Sequence, residues 1–180
     1  MVQKKKKIKG FTLVETIVVI FIIVLLLGVV LANYRAEERQ YSLLRSAHKL
    51  AQDLREAEKM AMAAEISLVS QQCSPNYGYG LHFEKNTDSY FFFVDCDGNK
   101  TYDKGKDQEV LSISLEPKIS ISDLSPGGNR LDVIFSPPDP TVTINPNPNN
   151  ENHATLTLQN IIDNQTKKVI IYGSGAIEIK

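Results

Sequence analysis

Hydrophobic and polar positions fall into three regimes along this 180-residue chain. The first is an uncharged run from Thr16 to Ala32, entered through Phe11-Thr12-Leu13-Val14-Glu15 and preceded by Lys4-Lys5-Lys6-Lys7-Ile8-Lys9-Gly10. From Phe11 to Ala32 the segment counts 22 residues. As helix that is roughly 33 Å at about 1.5 Å per residue, close to a hydrocarbon core of roughly 30 Å. In lipid every backbone group needs an internal partner, which overrides the weak helix preference of Ile17, Val18, Val19, Ile20, Ile22, Ile23 and Val24. A transmembrane helix is expected over residues 11–33.

The second regime is periodic. Leu43, Ala47, Leu50, Leu54, Ala57, Ala61, Ala64 and Leu68 recur in steps of four and three, the spacing of one helix face. Glu37, Arg39, Arg45, Gln52, Asp53, Glu56 and Lys59 occupy the other side. No breaker separates this stretch from the anchor, so one helix is expected from Phe11 to about Ser70, with residues 34–70 amphipathic. Half of the apolar seam is alanine, which suits close approach to the chain's own sheet better than the knobs of a coiled coil.

After Cys73-Ser74-Pro75-Asn76 the chain turns to short runs divided by turn residues. Strands are expected at 79–83 and 89–95, at 110–115 and 118–121, at 131–135 and 141–144, and in a closing meander at 154–159, 168–172 and 176–179. Ser125-Pro126-Gly127-Gly128-Asn129 reads as a turn, and Gly173-Ser174-Gly175 as a hairpin loop. A long N-terminal helix followed by an antiparallel sheet is an α+β arrangement. The expected division is a basic leader at 1–10, the anchor at 11–33, the amphipathic helix at 34–70 and a β-rich extracytoplasmic domain at 71–180.

Charge adds direction. Five lysines and no acid precede the apolar run, which by the positive-inside rule keeps residues 1–10 cytoplasmic and sends the rest across the membrane. A cleaved secretory signal is the rival, but the end of the run, Leu26-Leu27-Gly28-Val29-Val30-Leu31-Ala32-Asn33, lacks an A-x-A pattern. The formal charge of −1 becomes −6 once the five leader lysines are removed, leaving fifteen basic and twenty-one acidic residues. That balance argues against a broadly basic nucleic-acid surface. Cys73 and Cys96 both lie on the expected exported side, where a disulfide is permitted. Such a bridge is worth roughly 3 kcal/mol in the chain-entropy model; the alternative is two unpaired thiols.

Candidate chemistry is sparse. Glu15 is the only acid in the anchor, where a carboxylate costs roughly 2.5–3.5 kcal/mol at the centre and less near the edge. It reads either as a wet interfacial group or as the partner of a cation inside the membrane. A new amino terminus at Phe11, made by cleavage after the small Gly10, would supply that cation. Asp95, Asp97, Asn99 and Asp103 fall at calcium-loop offsets one, three, five and nine, but Lys100 stands where the glycine belongs and Lys106 where the bidentate acid belongs. The 95–107 segment therefore reads as a turn-rich hairpin loop, and no cofactor is expected. His48, His82 and His153 show no ligand spacing and read as scattered surface histidines. Tyr90-Phe91-Phe92-Phe93 has no interleaved basic residues and reads as core.

Lys9-Gly10-Phe11-Thr12-Leu13-Val14-Glu15 followed by an apolar helix resembles the signal of type IV pilins and type II secretion pseudopilins. The resemblance covers about 25 residues. It implies cleavage between Gly10 and Phe11 by prepilin peptidase, N-methylation of Phe11, and a role for Glu15 in assembly through a neighbouring subunit's Phe11 amine. It further implies other pilin or pseudopilin subunits, an inner-membrane assembly platform and membrane lipid as partners. Many members carry a proline where Ala32 stands, so the kink that proline makes is not expected. The β layout, with Tyr90–Val94 leading into an aspartate-rich loop, resembles minor pseudopilins of the GspH/FimT type.

The resulting expectation is a non-enzymatic filament subunit, single-pass in the inner membrane before assembly. Two other classes stay open at this point: a minor pilin binding DNA or an adhesion target, and a bitopic membrane protein with an unrelated β-domain.

Overall fold

The computed structural model describes residues 10–63, 73, 78–137, 141–147 and 151–180. They form one long helix, α1 (Leu13–Ala63), and nine strands. In chain order these are β1 (Tyr79–Glu84), β2 (Ser89–Val94), β3 (Gln108–Ser114), β4 (Ile119–Ser125), β5 (Arg130–Ser136), β6 (Thr141–Asn145), β7 (His153–Asn160), β8 (Thr166–Tyr172) and β9 (Ile177–Ile179). The class is α+β, as expected. The chain divides into two compact units, Met1–Arg39 and Gln40–Lys180, and α1 runs through the boundary. The expected end of the helix near Ser70, with Ala64 and Leu68 of the apolar seam, lies outside the described residues.

In the first unit the stretch Leu13–Leu31 is long and apolar enough to cross a membrane, and none of it is buried by the chain itself. The helix continues unbroken past Ala32, in keeping with the absence of a proline there.

The second unit contains two antiparallel sheets where a single one was expected. Their strand orders are β3-β2-β1-β5-β6 and β4-β7-β8-β9. Leu43, Ala47, Leu50, Leu54, Ala57 and Ala61 of α1 are buried and share one core with Tyr79, Leu81 and Phe83 of β1, Leu131, Val133 and Phe135 of β5, and Leu156, Leu158, Val169 and Ile171 of the second sheet. The alanines permit close approach of the helix to this layer.

The sheets separate because β4 pairs only with β7, while its outer edge meets a turn instead of a strand. Ile121 N–H donates to Thr87 O at 2.8 Å, and Asn86 N–H donates to Ile121 O at 2.7 Å. A register shift between Ile121 and Asp123 moves the inward set from Ile119 and Ile121 to Leu124, so β4 runs on to Ser125, beyond its expected end at Ile121.

The far face of the five-stranded sheet has its own packing. Gly80 leaves room for Phe93 and Ile134, whose side-chain atoms lie 2.8 Å from where a Cβ would stand. Tyr102, from the loop after β2, packs on Phe91 and Phe93 with ring centroids 4.9 and 5.3 Å apart. The aromatic run is thus packed within the fold on both faces of β2.

Candidate functional site

Two regions carry the residues singled out by the sequence. The first is the start of α1. Thr12 precedes the helix, and its Oγ1 accepts from Glu15 N–H at 3.2 Å, while Thr16 N–H donates to Thr12 O at 3.2 Å. Thr12 is therefore the N-cap and Glu15 the N3 residue, the S/T-x-x-E spacing of a capping box. The sequence reading passed over this cap although its signature stands in Thr12-Leu13-Val14-Glu15. Acids favour a helix N-terminus, where unpaired N–H groups and the macrodipole are positive. Gly10 and Phe11 lie just outside the helix and are exposed, Phe11 at 84 %. Gly10 and Phe11 thus lie immediately before the helix that carries the exposed Glu15 in its first turn.

The second region is the 95–107 loop, which closes on itself through its carboxylates. Asp95 accepts from Gly98 N–H at 2.7 Å and from Lys100 N–H at 2.9 Å. Asp107 accepts from Cys96 N–H at 2.9 Å and Asp103 N–H at 2.6 Å. Asn99 bridges Asp97 and Asp103 through its amide at 3.2 and 3.0 Å. Lys106 Nζ sits 2.9 Å from Asp103 Oδ2 and 3.6 Å from Asp97 Oδ2. Its ammonium supplies positive charge between two of the carboxylates that a calcium loop would turn toward an ion. Asp95, Asp97 and Asp107 can still bring ligand atoms within 4.8 Å of one another. Lys100, at the offset where glycine was missing, has φ 62°, the left-handed conformation that glycine adopts at no steric cost.

The charges respond to these contacts. The hydrogen bond from Lys106 holds the Asp103 carboxyl below its ordinary value, and Asp103 in turn raises the Lys106 ammonium. Burial pushes the Asp95 carboxyl up, opposed by its two backbone donors. Cys73 and Cys96 form a disulfide, with Cα atoms 4.8 Å apart, that ties the start of the loop to the segment before β1.

One residue departs from expectation. His48 is exposed and His153 half-buried, but His82 is only 4 % exposed. The strand alternation puts it on the far face of the five-stranded sheet, where the 95–107 loop covers it. Its Nδ1–H donates to Asp132 Oδ1 at 2.5 Å. Asp132 is fully buried and accepts also from Thr101 Oγ1–H and Tyr102 N–H, both at 3.0 Å. This network anchors the loop to β5. No signal in the sequence singled out Asp132, which requires the pairing of β1 with β5 to reach His82.

No curated protein and no solved structure is matched by this chain. Residues 5–31 match the prokaryotic N-terminal methylation motif, so the chain carries a prepilin-type signal of the kind found on type IV pilins and pseudopilins.

Proposed function

We propose that the chain is a structural, non-enzymatic subunit of a type IV pilus or a type II secretion pseudopilus. The observation that carries this reading is the unburied apolar surface of Leu13–Leu31, directly behind an exposed Gly10-Phe11 bond and a capped Glu15. An apolar surface of this length needs either lipid or other apolar helices around it. A subunit that moves from membrane to filament exchanges one for the other.

In this account prepilin peptidase cuts after Gly10, Phe11 becomes the methylated amino terminus, and an inner-membrane platform extracts the subunit. Glu15, held at the first turn by Thr12, then pairs with the Phe11 amine of a neighbouring subunit. A buried carboxylate and a buried ammonium each carry a penalty of several kcal/mol that pairing offsets, so mismatched helix registers are disfavoured. Residues 1–10 stay cytoplasmic, and the 40–180 unit is extracytoplasmic, where the Cys73–Cys96 disulfide is stable.

The 95–107 loop is a structural element in this reading, with Lys106 serving as its own cation and no resident cofactor. The β layout supports a minor-subunit role of the GspH/FimT type. The test is Glu15→Ala in cells carrying the assembly machinery. The expected result is a processed subunit that stays in the membrane fraction and is absent from sheared filaments. Filament incorporation at the wild-type level would overturn the role given to Glu15.

A further inference from the structure

Contacts within the 40–180 unit fix which of its turns lie at the Gln40 end of the helix. Glu116 N–H donates to Ser46 Oγ at 3.3 Å, and Arg45 Nε lies 3.4 Å from Glu116 Oε1. Two residues on, Lys118 O accepts from Ile161 N–H at 3.0 Å. The turn between β7 and β8 is thereby set beside Ser46. Beyond the other end of these strands, a Cβ on residue 175 would stand 3.3 Å from Glu58 Oε1, twelve residues further along α1. The β7–β8 hairpin therefore runs along the helix with its 160–165 turn toward Gln40.

Two residues of that turn have no counterpart in ordinary turn chemistry. Asn160, Asp163 and Asn164 are turn residues, and Asn160 accepts from Asn164 N–H and Ile162 N–H, both at 2.9 Å. Ile161 and Ile162, held by this framework, are 63 % and 48 % exposed. Pro117 and Lys118, in the turn bonded to Ile161, are exposed as well, and so is Tyr41 at the start of this unit's helix. Lys118 stands at φ 70°, a conformation that glycine or asparagine takes at lower cost. Charge changes sign at the same place. The unit carries thirteen basic and eighteen acidic residues. At this end Arg45, Lys49, Lys118 and Lys167 stand with Glu116 and Asp163. Glu116 is engaged by Arg45, and Asp163 accepts from Gln165 N–H at 3.2 Å.

We infer that the 160–165 and 116–118 turns form a docking surface for anionic lipid, namely the bilayer that Leu13–Leu31 crosses. The inference rests on the membrane-anchor reading of that segment. Eight residues separate Leu31 from Gln40, so the Gln40 end of the unit stays within about 30 Å of the bilayer edge even with those residues fully extended. The encounter is thus intramolecular, and a small contact suffices to hold it. Ile161 and Ile162 enter the boundary between headgroups and acyl chains, and Lys118 meets the headgroup phosphates. Tyr41 has the amphipathic ring that favours this interface. Docking holds the β-rich unit on the membrane before assembly, and extraction of the subunit releases it.

The test is paramagnetic broadening of isoleucine methyl resonances in the full chain, held one copy per lipid nanodisc with a lipid spin-labelled near its headgroup. Ile17, Ile20, Ile22 and Ile23 report on the anchor; if they stay sharp, the anchor reading and the docking surface both fall. In phosphatidylglycerol discs the Ile161 and Ile162 methyls should broaden about threefold or more beyond Ile177, which pairs with Ile171 near the Glu58 end. Lys118→Glu, at an exposed position, should cut that difference to about half or less, and so should neutral phosphatidylcholine discs. Broadened anchor methyls with Ile161 and Ile162 as sharp as Ile177 would overturn the docking surface and leave the anchor standing. So would equal broadening in neutral discs, or no change in Lys118→Glu. Changes at Ile161 and Ile162 that require two chains per disc would also overturn it and assign the face to a second copy.

Discussion

Tyr90 donates its phenolic hydrogen to Asp53 Oδ2 at 2.7 Å, a direct hydrogen bond between the five-stranded sheet and α1. Tyr90 is only 2 % exposed, and Asp53 stands on the flank of the helix seam. Both groups are shifted upward, chiefly by burial. Burial raises the Asp53 carboxyl above its ordinary value of 3.8, although the Tyr90 hydroxyl pulls it back. Burial and the neighbouring carboxylate raise the Tyr90 hydroxyl beyond the range in which it titrates in water.

The sign of the Asp53 effect follows from linkage. A carboxyl raised in the folded state binds its proton more tightly there than in the unfolded chain, so stability falls as pH rises from 3.8 through the raised value. Asp53→Asn retains an acceptor for Tyr90 and should remove that part of the pH dependence. Tyr90→Phe leaves the carboxylate without its donor and should cost about 1–3 kcal/mol. Urea unfolding of the full chain in micelles, repeated between acid and neutral pH, checks both outcomes.

A second prediction concerns the far face of the sheet. A Cβ on residue 80 would stand 2.8 Å from both Ile134 Cγ1 and the Phe93 ring. Both neighbours are fully buried and have little room to retreat. Gly80→Ala should destabilise the unit by about 1–3 kcal/mol through overpacking. A thermal midpoint equal to that of the wild-type chain would contradict the packing described for this face.

The aspartate loop should respond to acid. Asp103 titrates below its ordinary value because Lys106 bonds it, so its contribution is present above 3.8 and is lost as pH falls through the lowered folded value. Lys106 is raised above 10.5, so its contribution persists up to that pH and is lost only beyond it. At neutral pH both charges are present. Relative to the intrinsic exchange rate at each pH, protection of the Asn99 and Thr101 amides should fall in acid, and Lys106→Met should lower protection at neutral pH and flatten the acid response.

Much of this architecture is legible in the residues. The four-and-three spacing from Leu43 to Ala61 is the buried face of α1, and the strand runs appear close to their expected positions. Local periodicity reports which face a residue takes, and these elements depend on little else. What escaped the reading depends on distant pairing. The split into two sheets follows from β4 meeting the 84–88 turn, and the burial of His82 follows from β1 lying beside β5 with a loop folded over both. Asp53 looks like one more polar residue of the helix until Tyr90 is brought to it. Thr12 is a different case: its capping-box spacing is local and stands in Thr12-Leu13-Val14-Glu15 itself.

The central claim is that the Gly10–Phe11 bond is a processing site and the helix behind it an assembly element. The most direct measurement is the intact mass and N-terminal sequence of the chain isolated from membranes that contain an active prepilin peptidase. The account predicts a chain that begins at Phe11 and carries one N-methyl group. A chain that keeps its leader, beginning at Met1 or at Val2 after methionine removal, would contradict it and leave an ordinary membrane anchor ahead of the two-sheet domain.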